Sequence, residues 1–170
     1  MSGAGAPTIS ERHPDDGTGV HVVIVAGEWH TVITEGLIAG ASRYLDQSGA
    51  SWSLVRVPGS FELPVVCKTV LEAGADAVVA LGVIIRGGTP HFDYVASAAT
   101  DGLTRVALDT GKPVGFGVLT LDDEAQGLDR AGLPDSHEDK GGEAAAAALR
   151  TVLTLRQVSL RAGNATVSRP

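Results

Sequence analysis

The sequence has 170 residues, of which 44% are apolar and only 4% aromatic, and it carries a formal net charge of -7. This length predicts one domain with an aliphatic core, while the acidic balance argues against a nucleic-acid partner, which needs clustered Lys and Arg. A single cysteine excludes an internal disulfide and fits a reducing, cytoplasmic location, and no apolar run is long enough to span a membrane.

The chain begins with a stretch rich in Gly, Pro, Ser and Asp, MSGAGAPTISERHPDDGTG, at residues 1–19. It lacks the apolar core and the basic start of a signal peptide. This composition predicts a flexible N-terminal tail. The folded domain is predicted over 20–162, and a flexible C-terminal tail over 163–170.

Strand and helix patterns alternate through the folded domain. Short runs rich in Val, Ile and Leu occupy 21–27, 53–59, 76–85 and 112–120. Helical patterns occupy 31–47, 62–74, 91–111, 122–132 and 139–158, and glycine ends three of them at Gly74, Gly111 and Gly132. The alternation predicts an α/β fold, a flavodoxin-like three-layer sandwich whose four-stranded parallel sheet has helices on both faces.

Unusual residues follow the predicted strands, where parallel sheets bind their ligands. Glu28-Trp29-His30 comes after the first run, Gly59-Ser60-Phe61-Glu62 after the second, and the segment 86–91 after the third. Two interpretations of Trp29 are open, a stacking surface for a flat heterocycle or plain packing. Glu62 is either an ordinary acid at a helix start or a ligand for hydroxyl groups.

The segment Gly87-Gly88-Thr89-Pro90 precedes a helical pattern. Because proline favours the first helical position, the sequence predicts Thr89 as the N-cap. Glycines before a helix start let backbone N–H groups close on an anion, although a tight turn also uses glycine. His91 lies in the first helical turn, where an imidazole is either structural or a general acid/base.

Lys140 opens the last helix, where a cation opposes the helix dipole at a cost of about 0.3–1 kcal/mol. The adjacent Gly141-Gly142 pair is also unfavourable in a helix. This arrangement suggests contact with an anion, and the alternative is a solvated lysine paired with Asp139 or Glu143. Arg130 lies near a helix end, where a cation is favoured in any case.

The sequence gives no sign of a metal site, since its five histidines are scattered and no Cys/His/Asp spacing fits one. Cys67, in the helical stretch VVCKTV, is predicted to be buried packing.

Several stretches together resemble the lumazine synthase family, in the order and spacing of that family. They are VPGSFELP (57–64), ALGVIIRGGTPHFDYV (80–95), FGVLT (116–120), LDRAG (128–132) and DKG (139–141). The resemblance covers residues 20–160. It implies condensation of 5-amino-6-(D-ribitylamino)uracil with 3,4-dihydroxy-2-butanone 4-phosphate to give 6,7-dimethyl-8-ribityllumazine, phosphate and water, the penultimate step of riboflavin biosynthesis. It implies no cofactor and no metal.

The resemblance also implies roles for individual residues. Trp29 matches an aromatic residue that stacks on the pyrimidine, and Ser60, Phe61 and Glu62 match a segment that contacts the ribityl chain. Val83, Ile84 and Ile85 match a strand end whose backbone contacts the uracil. Gly88 and Thr89 match the phosphate site. His91 matches a proton-transfer histidine, and Lys140 a lysine close to the substrates. Phe116 and Arg130 match positions that the adjacent subunit contributes, with Arg130 on the phosphate. The implied partners are small-molecule substrates and further copies of the chain.

Two features depart from the common pattern of the family. Trp29-His30 stands where Phe-Asn is common. The linker LPDSHED, residues 133–139, is longer than in members that build sixty-subunit shells, which favours an isolated pentamer. The roles of His30, Arg86 and Asp93 stay open, with an Arg86–Asp93 ion pair as one possibility.

Two other function classes compete with the enzyme. One is a flavin- or lumazine-binding carrier or assembly scaffold of the same fold, which would not need His91 and Lys140. The other is a flavodoxin-like receiver domain, which requires clustered acids at strand ends. The first and third runs end in no such cluster, so the receiver class is disfavoured.

Overall fold

The structure, a computed structural model, describes residues 16–167, with side chains described as far as residue 162. Most of the predicted N-terminal tail lies outside this range, so that tail stays a prediction. Within the described residues, no helix is both long enough and apolar enough to cross a membrane.

A parallel sheet of four strands forms the centre of the fold, in the order β2-β1-β3-β4. In chain order the elements are β1 (His21–Gly27), α1 (Thr31–Gln47), β2 (Ser51–Val57), a 3-10 turn (Ser60–Glu62), α2 (Leu63–Glu72), β3 (Ala77–Ile85), α3 (His91–Thr110), β4 (Val114–Leu121), α4 (Glu124–Leu128) and α5 (Lys140–Val167). The predicted α/β class with helices on both faces is confirmed.

Aliphatic side chains fill a core on each face of the sheet. On one face α1 and α5 pack on the strands around Leu37 and Leu149, and on the other α2 and α3 pack around Leu63 and Leu103. Cys67 belongs to the second core and is fully buried, as predicted, and its burial raises the pKa of the thiol to about 12.

Two elements end at residues that differ from the prediction, namely β2 and α5. β2 ends at Val57 instead of residue 59, because Pro58 has no N–H with which to continue a ladder. α5 continues to Val167, past the predicted end at 158 and into the range predicted as the C-terminal tail. The boundary of that tail stays a prediction, since 168–170 lie outside the described residues.

The helix predicted over 122–132 is short, because the chain turns back after Leu128. We call residues 129–139 the return loop. The carbonyl of Asp129 accepts a hydrogen bond from the N–H of Glu138 at 3.1 Å. Gly132 takes a left-handed φ of 68° inside this loop and does not directly follow the helix.

The start of α5 lies against the backbone of α1. A Cβ added at Gly141 would stand 1.9 Å from the carbonyl oxygen of Leu37, so only glycine permits this approach. The carboxylate of Asp139 accepts from the N–H of Gly142 at 2.9 Å and thereby caps the helix. Packing and capping therefore explain the glycine pair beside Lys140, and the pair is not by itself a sign of anion binding.

The return loop also lies against α1. A Cβ at Gly36 would stand 2.5 Å from the oxygen of Ala131, and one at Gly40 would stand 2.0 Å from Oδ1 of Asp139. Asp139 also accepts from Arg43 of α1 at 2.7 Å. These contacts fix the loop that carries Arg130 against the folded core.

Candidate active site

The carboxyl ends of β1 and β2 bring an aromatic ring, a hydroxyl and a carboxylate together. Trp29 is 68% exposed, and a Cβ at Gly59 would meet its Cδ1 at 3.6 Å and Oε2 of Glu62 at 3.3 Å. Ser60 is buried with its Oγ 2.5 Å from a Cβ built at Gly82 of β3. A largely exposed aromatic ring thus lies beside polar groups at one end of the sheet.

Two other residues at this end have unusual settings. Phe61 is 62% exposed although it is aromatic. His30 has a φ of 55°, and it is the one non-glycine residue with positive φ in the described part of the chain. Such a conformation is unfavourable for a residue with a Cβ. The local geometry turns the chain from β1 into α1 directly behind Trp29.

The end of β3 extends beyond its neighbour β1. The pairing of β1 with β3 stops at Ala26 and Leu81, whereas β3 continues to pair with β4 as far as Ile85. Residues Val83–Ile85 of β3 therefore lie past the end of the pairing with β1, and β1 does not pair with their backbone. Backbone donors and acceptors in this position suit the edge of a planar heterocycle.

The glycine segment after β3 differs from its prediction at Thr89. Helix α3 begins at His91, and Pro90 stands at the N-cap position without a side-chain cap, so the prediction of Thr89 as N-cap is wrong. A Cβ at Gly87 or Gly88 would meet nothing within 4 Å, and neither residue has a left-handed φ. The turn itself therefore does not demand glycine. Gly88, Thr89 and His91 are all exposed.

Arg86 ties the start of this segment to its neighbours. Its guanidinium donates to Asp122 after β4 at 3.1 Å and to Asp93 of α3 at 3.4 Å, and it lies 4.1 Å from the centre of the Phe92 ring. The Arg86–Asp93 pair that the sequence left open is present. It anchors the glycine segment between β4 and α3.

A second group of residues lines a cleft of about 340 Å³ between β4, α4, the return loop and α5. Phe116, Arg130 and Lys140 all contribute to it, together with Gln126 and Glu143. Nη1 of Arg130 donates to the carbonyl of Gln126 at 2.9 Å, which orients the guanidinium. Two cations and an aromatic ring, Phe116, which is 47% exposed, thus share one cleft.

Lys140 is held by two carboxylates, Glu138 and Glu143, and the distance to Oε2 of Glu143 is 2.8 Å. Burial lowers the pKa of Lys140, but hydrogen bonds to these two acids outweigh that effect and raise it above its ordinary value. The ammonium group is therefore charged at neutral pH. The alternative prediction, a solvated lysine paired with Asp139 or Glu143, is correct about the pair with Glu143. It is wrong about the solvation, because the side chain of Lys140 is only 17% exposed.

The return loop is closed by a pair that sequence reasoning missed. Nδ1 of His137 bonds to Asp129, and this hydrogen bond raises the pKa of His137 and lowers that of Asp129. Oγ of Ser136 donates to the carbonyl of Leu128 in the same loop. Sequence spacing held no signal for these contacts, because they depend on how the loop folds back.

Glu138 and Gln126 are two residues of the cleft region that the sequence did not single out. Glu138 contacts Lys140 and lies 3.8 Å from Nη2 of Arg130. Its position next to Asp139 and Lys140 was the one available hint. A charged side chain in an irregular loop carries no periodicity from which to predict its partner.

The predicted site residues thus form two groups in the chain. Trp29, Ser60 and Glu62 lie at the strand ends with the glycine segment, while Phe116, Arg130 and Lys140 line the cleft. None of Gly88, Thr89 and His91 lines that cleft, within the described residues. In the same range no group of three or more His, Cys, Asp or Glu side chains has the geometry to hold a metal ion.

Comparison with known proteins links both groups to one family. A model of the family described as 6,7-dimethyl-8-ribityllumazine synthase matches residues 19–156. Proteins of that name from Leifsonia xyli subsp. xyli, Clavibacter sepedonicus and Streptomyces avermitilis are 77%, 66% and 57% identical to this chain. The matches cover 92%, 93% and 94% of this chain and 98% of each relative.

Among solved structures, a GDP-L-fucose synthetase from Naegleria fowleri aligns with a TM-score of 0.40 and 15% identity, over 91% of this chain and 49% of that chain. A similarity of this size carries no weight for the fold or the function. The family match spans both groups of site residues and agrees with the parallel α/β architecture. The chain therefore belongs to the 6,7-dimethyl-8-ribityllumazine synthase family.

Proposed function

We propose that this protein condenses 5-amino-6-(D-ribitylamino)uracil with 3,4-dihydroxy-2-butanone 4-phosphate to give 6,7-dimethyl-8-ribityllumazine, phosphate and water. This is the penultimate step of riboflavin biosynthesis. The observation that carries the proposal is the family match over residues 19–156, which includes every residue of both groups. The geometry agrees, since an exposed aromatic ring suits a heterocycle, and a cleft that contains Arg130 and Lys140 suits a phosphate ester.

The two groups complete one site between neighbouring subunits, in our proposal. The strand-end group of one subunit holds the pyrimidine and the ribityl chain, through Trp29, Ser60 and Glu62. The cleft of the next subunit supplies Phe116 and Arg130. This division is supported by the absence of Gly88, Thr89 and His91 from the lining of the cleft in the described chain.

The anion site is proposed for the exposed segment at Gly88 and Thr89, completed by Arg130. Backbone N–H groups at a helix start and a guanidinium are both good phosphate ligands. Gly88 has open space around it, so a ligand can approach the backbone closely. Lys140 adds a second positive charge to the cleft.

Protons have to move during Schiff-base formation, phosphate elimination and ring closure. His91 is exposed at the start of α3, three residues past Gly88, and is proposed to transfer them. The diamine is already a good nucleophile, so the main contribution of the protein is to position the two substrates.

The assembly is proposed to be a homopentamer, on the strength of the long linker 133–139 and of the need for a neighbour to complete the site. A cytoplasmic location is proposed on the ground that the single cysteine, Cys67, forms no disulfide within the chain. The carrier or scaffold alternative is not favoured, because three relatives that are 57% to 77% identical carry the name of the enzyme.

Substitution of the two key side chains tests the proposal. Arg130→Ala should raise the KM for the butanone phosphate about ten- to hundredfold, since hydrogen bonds to a charged group contribute roughly 1.5–3 kcal/mol each. His91→Ala should lower kcat by roughly a hundredfold and leave measurable turnover, at the low end of acid/base effects. Steady-state kinetics, followed by lumazine absorbance, measures both.

The matched control is Arg105→Ala, which removes an exposed arginine that pairs with Asp109 on α3. It should leave both constants unchanged. An Arg130→Ala enzyme with the normal KM for the butanone phosphate would remove that residue from the phosphate site. A complete lack of lumazine formation by the unaltered protein would favour the carrier alternative.

A further inference from the structure

Two backbone hydrogen bonds, one at its N–H and one at its carbonyl, fix Glu138 in the return loop. Its N–H donates to the carbonyl of Asp129 at 3.1 Å, and its own carbonyl accepts from the N–H of Gly132 at 3.0 Å. The side chain is only 19% exposed, and Oε2 is buried. The return loop therefore holds this carboxylate in one place.

The carboxylate of Glu138 lies between both cations of the cleft. One oxygen is paired with Nζ of Lys140, and the other is 3.8 Å from Nη2 of Arg130. Glu143 also pairs with Lys140, but no contact joins it to Arg130 among the described residues. Asp129 also lies near Arg130, at 3.9 Å from Nη1, but its other oxygen is bonded to His137. Glu138 is thus the carboxylate that contacts both Arg130 and Lys140, and a phosphate group has to compete with it at Arg130.

We propose that Glu138 is a built-in counter-anion that competes with phosphate for Arg130 and weakens the hold of the site on inorganic phosphate, the product. The inference rests on the proposed phosphate role of Arg130. The direction of the effect on phosphate affinity follows from Coulomb's law, since a fixed negative charge within several ångströms of a bound dianion opposes binding of that dianion. Glu138 acts on the substrate through Arg130 and Lys140 and is a positioning residue.

The test is Glu138→Gln, which removes the charge and keeps the size of the side chain. Lys140 stays charged in this variant because Glu143 remains beside it. The Kd for inorganic phosphate, measured by calorimetry on the assembled enzyme, should fall by about three- to tenfold. The inhibition constant of phosphate against the butanone phosphate should fall by the same factor.

Two variants separate charge from other effects. Glu138→Asp keeps the charge and should keep the phosphate affinity within about twofold of the original. Glu124→Gln makes the same charge change at an exposed position of α4 outside the cleft lining and should have no effect. Damage to the fold would weaken phosphate binding, so a gain of affinity cannot come from misfolding.

The outcomes also separate this inference from the function on which it rests. If Arg130→Ala weakens phosphate binding and Glu138→Gln fails to tighten it, the counter-anion role is wrong while the phosphate site stands. If Arg130→Ala leaves phosphate binding unchanged, the phosphate role of Arg130 is wrong and the counter-anion role is wrong with it.

Discussion

At the scale of single residues, an exposed ion pair between His137 and Asp129 joins two parts of the return loop. The hydrogen bond between them raises the pKa of His137 above its ordinary value of 6.5. A group with a raised pKa in the folded state stabilises that state fully below its unfolded pKa. That contribution is lost as pH rises through the folded pKa, so the loop should loosen above pH 6.5.

An NMR titration of the histidines tests this pair. His137 should titrate above 6.5, and Asp129→Asn should bring its pKa down toward the ordinary value. Asp135→Asn, in the same loop, is the control and should leave the titration unchanged. High salt should reduce the upward shift, because His137 is exposed. An identical His137 titration in Asp129→Asn would show that the pair does not form in solution.

Sequence reasoning succeeded for residues placed by the sheet and failed for residues placed by the loop. Trp29 and Ser60 were predictable because parallel strands all end at one edge, so neighbours of strand ends meet there. Glu138 and His137 were not, since their contacts arise only after residues 129–139 turn back on themselves. The N-cap at Thr89 failed because Pro90 itself took that position.

At the scale of elements, the contact of α1 with α5 is a backbone contact. Gly141→Ala would place a methyl group against the carbonyl of Leu37, so backbone or helix has to move. We expect a loss of about 1–3 kcal/mol in the free energy of unfolding, as for overpacked cores. Thermal unfolding at a fixed protein concentration measures it, because assembly makes the Tm depend on concentration.

Gly87→Ala is the control for this substitution, since its Cβ would meet nothing and its φ is not left-handed. It should leave the Tm unchanged. Equal losses in the two variants would mean that the close approach of α1 and α5 is not what requires glycine at 141.

Strands and long helices were predictable because their apolar periodicity is set by burial, and α1 matches its predicted range 31–47. Helix α4 was not, because its pattern continues to Gly132 while the chain leaves the helix at Leu128. The backbone partners of the return loop, such as Glu138 with Asp129, decide that end. Local propensity holds no information about them.

At the scale of the whole molecule, a site divided between neighbours predicts complementation. Gly88→Asp puts a carboxylate into the proposed phosphate cradle of one half, and Arg130→Ala removes the cation from the other half. Each variant alone should be nearly inactive at low butanone phosphate. When the two are unfolded together in equal amounts and reassembled, about one quarter of the sites should have both intact halves.

The control is the same mixture without unfolding, which should stay inactive if subunits do not exchange. Native mass spectrometry of the reassembled sample counts the subunits, for which we propose five. Recovery of no activity after reassembly of competent oligomers would mean that each site lies within one chain. The sequence suggested the divided site only through its family resemblance, because no single-chain pattern encodes a neighbour.

The glycines of α1 that face the return loop should constrain how sequences of this family vary in evolution. At Gly36 and Gly40 there is no room for a methyl group while Ala131 and Asp139 occupy the facing surface. A lineage that shortens the segment after residue 130 withdraws those atoms and frees both helix positions to acquire larger side chains. Aligned homologues should therefore show larger residues at positions 36 and 40 wherever the segment after 130 is shorter, because the same two steric contacts constrain both features.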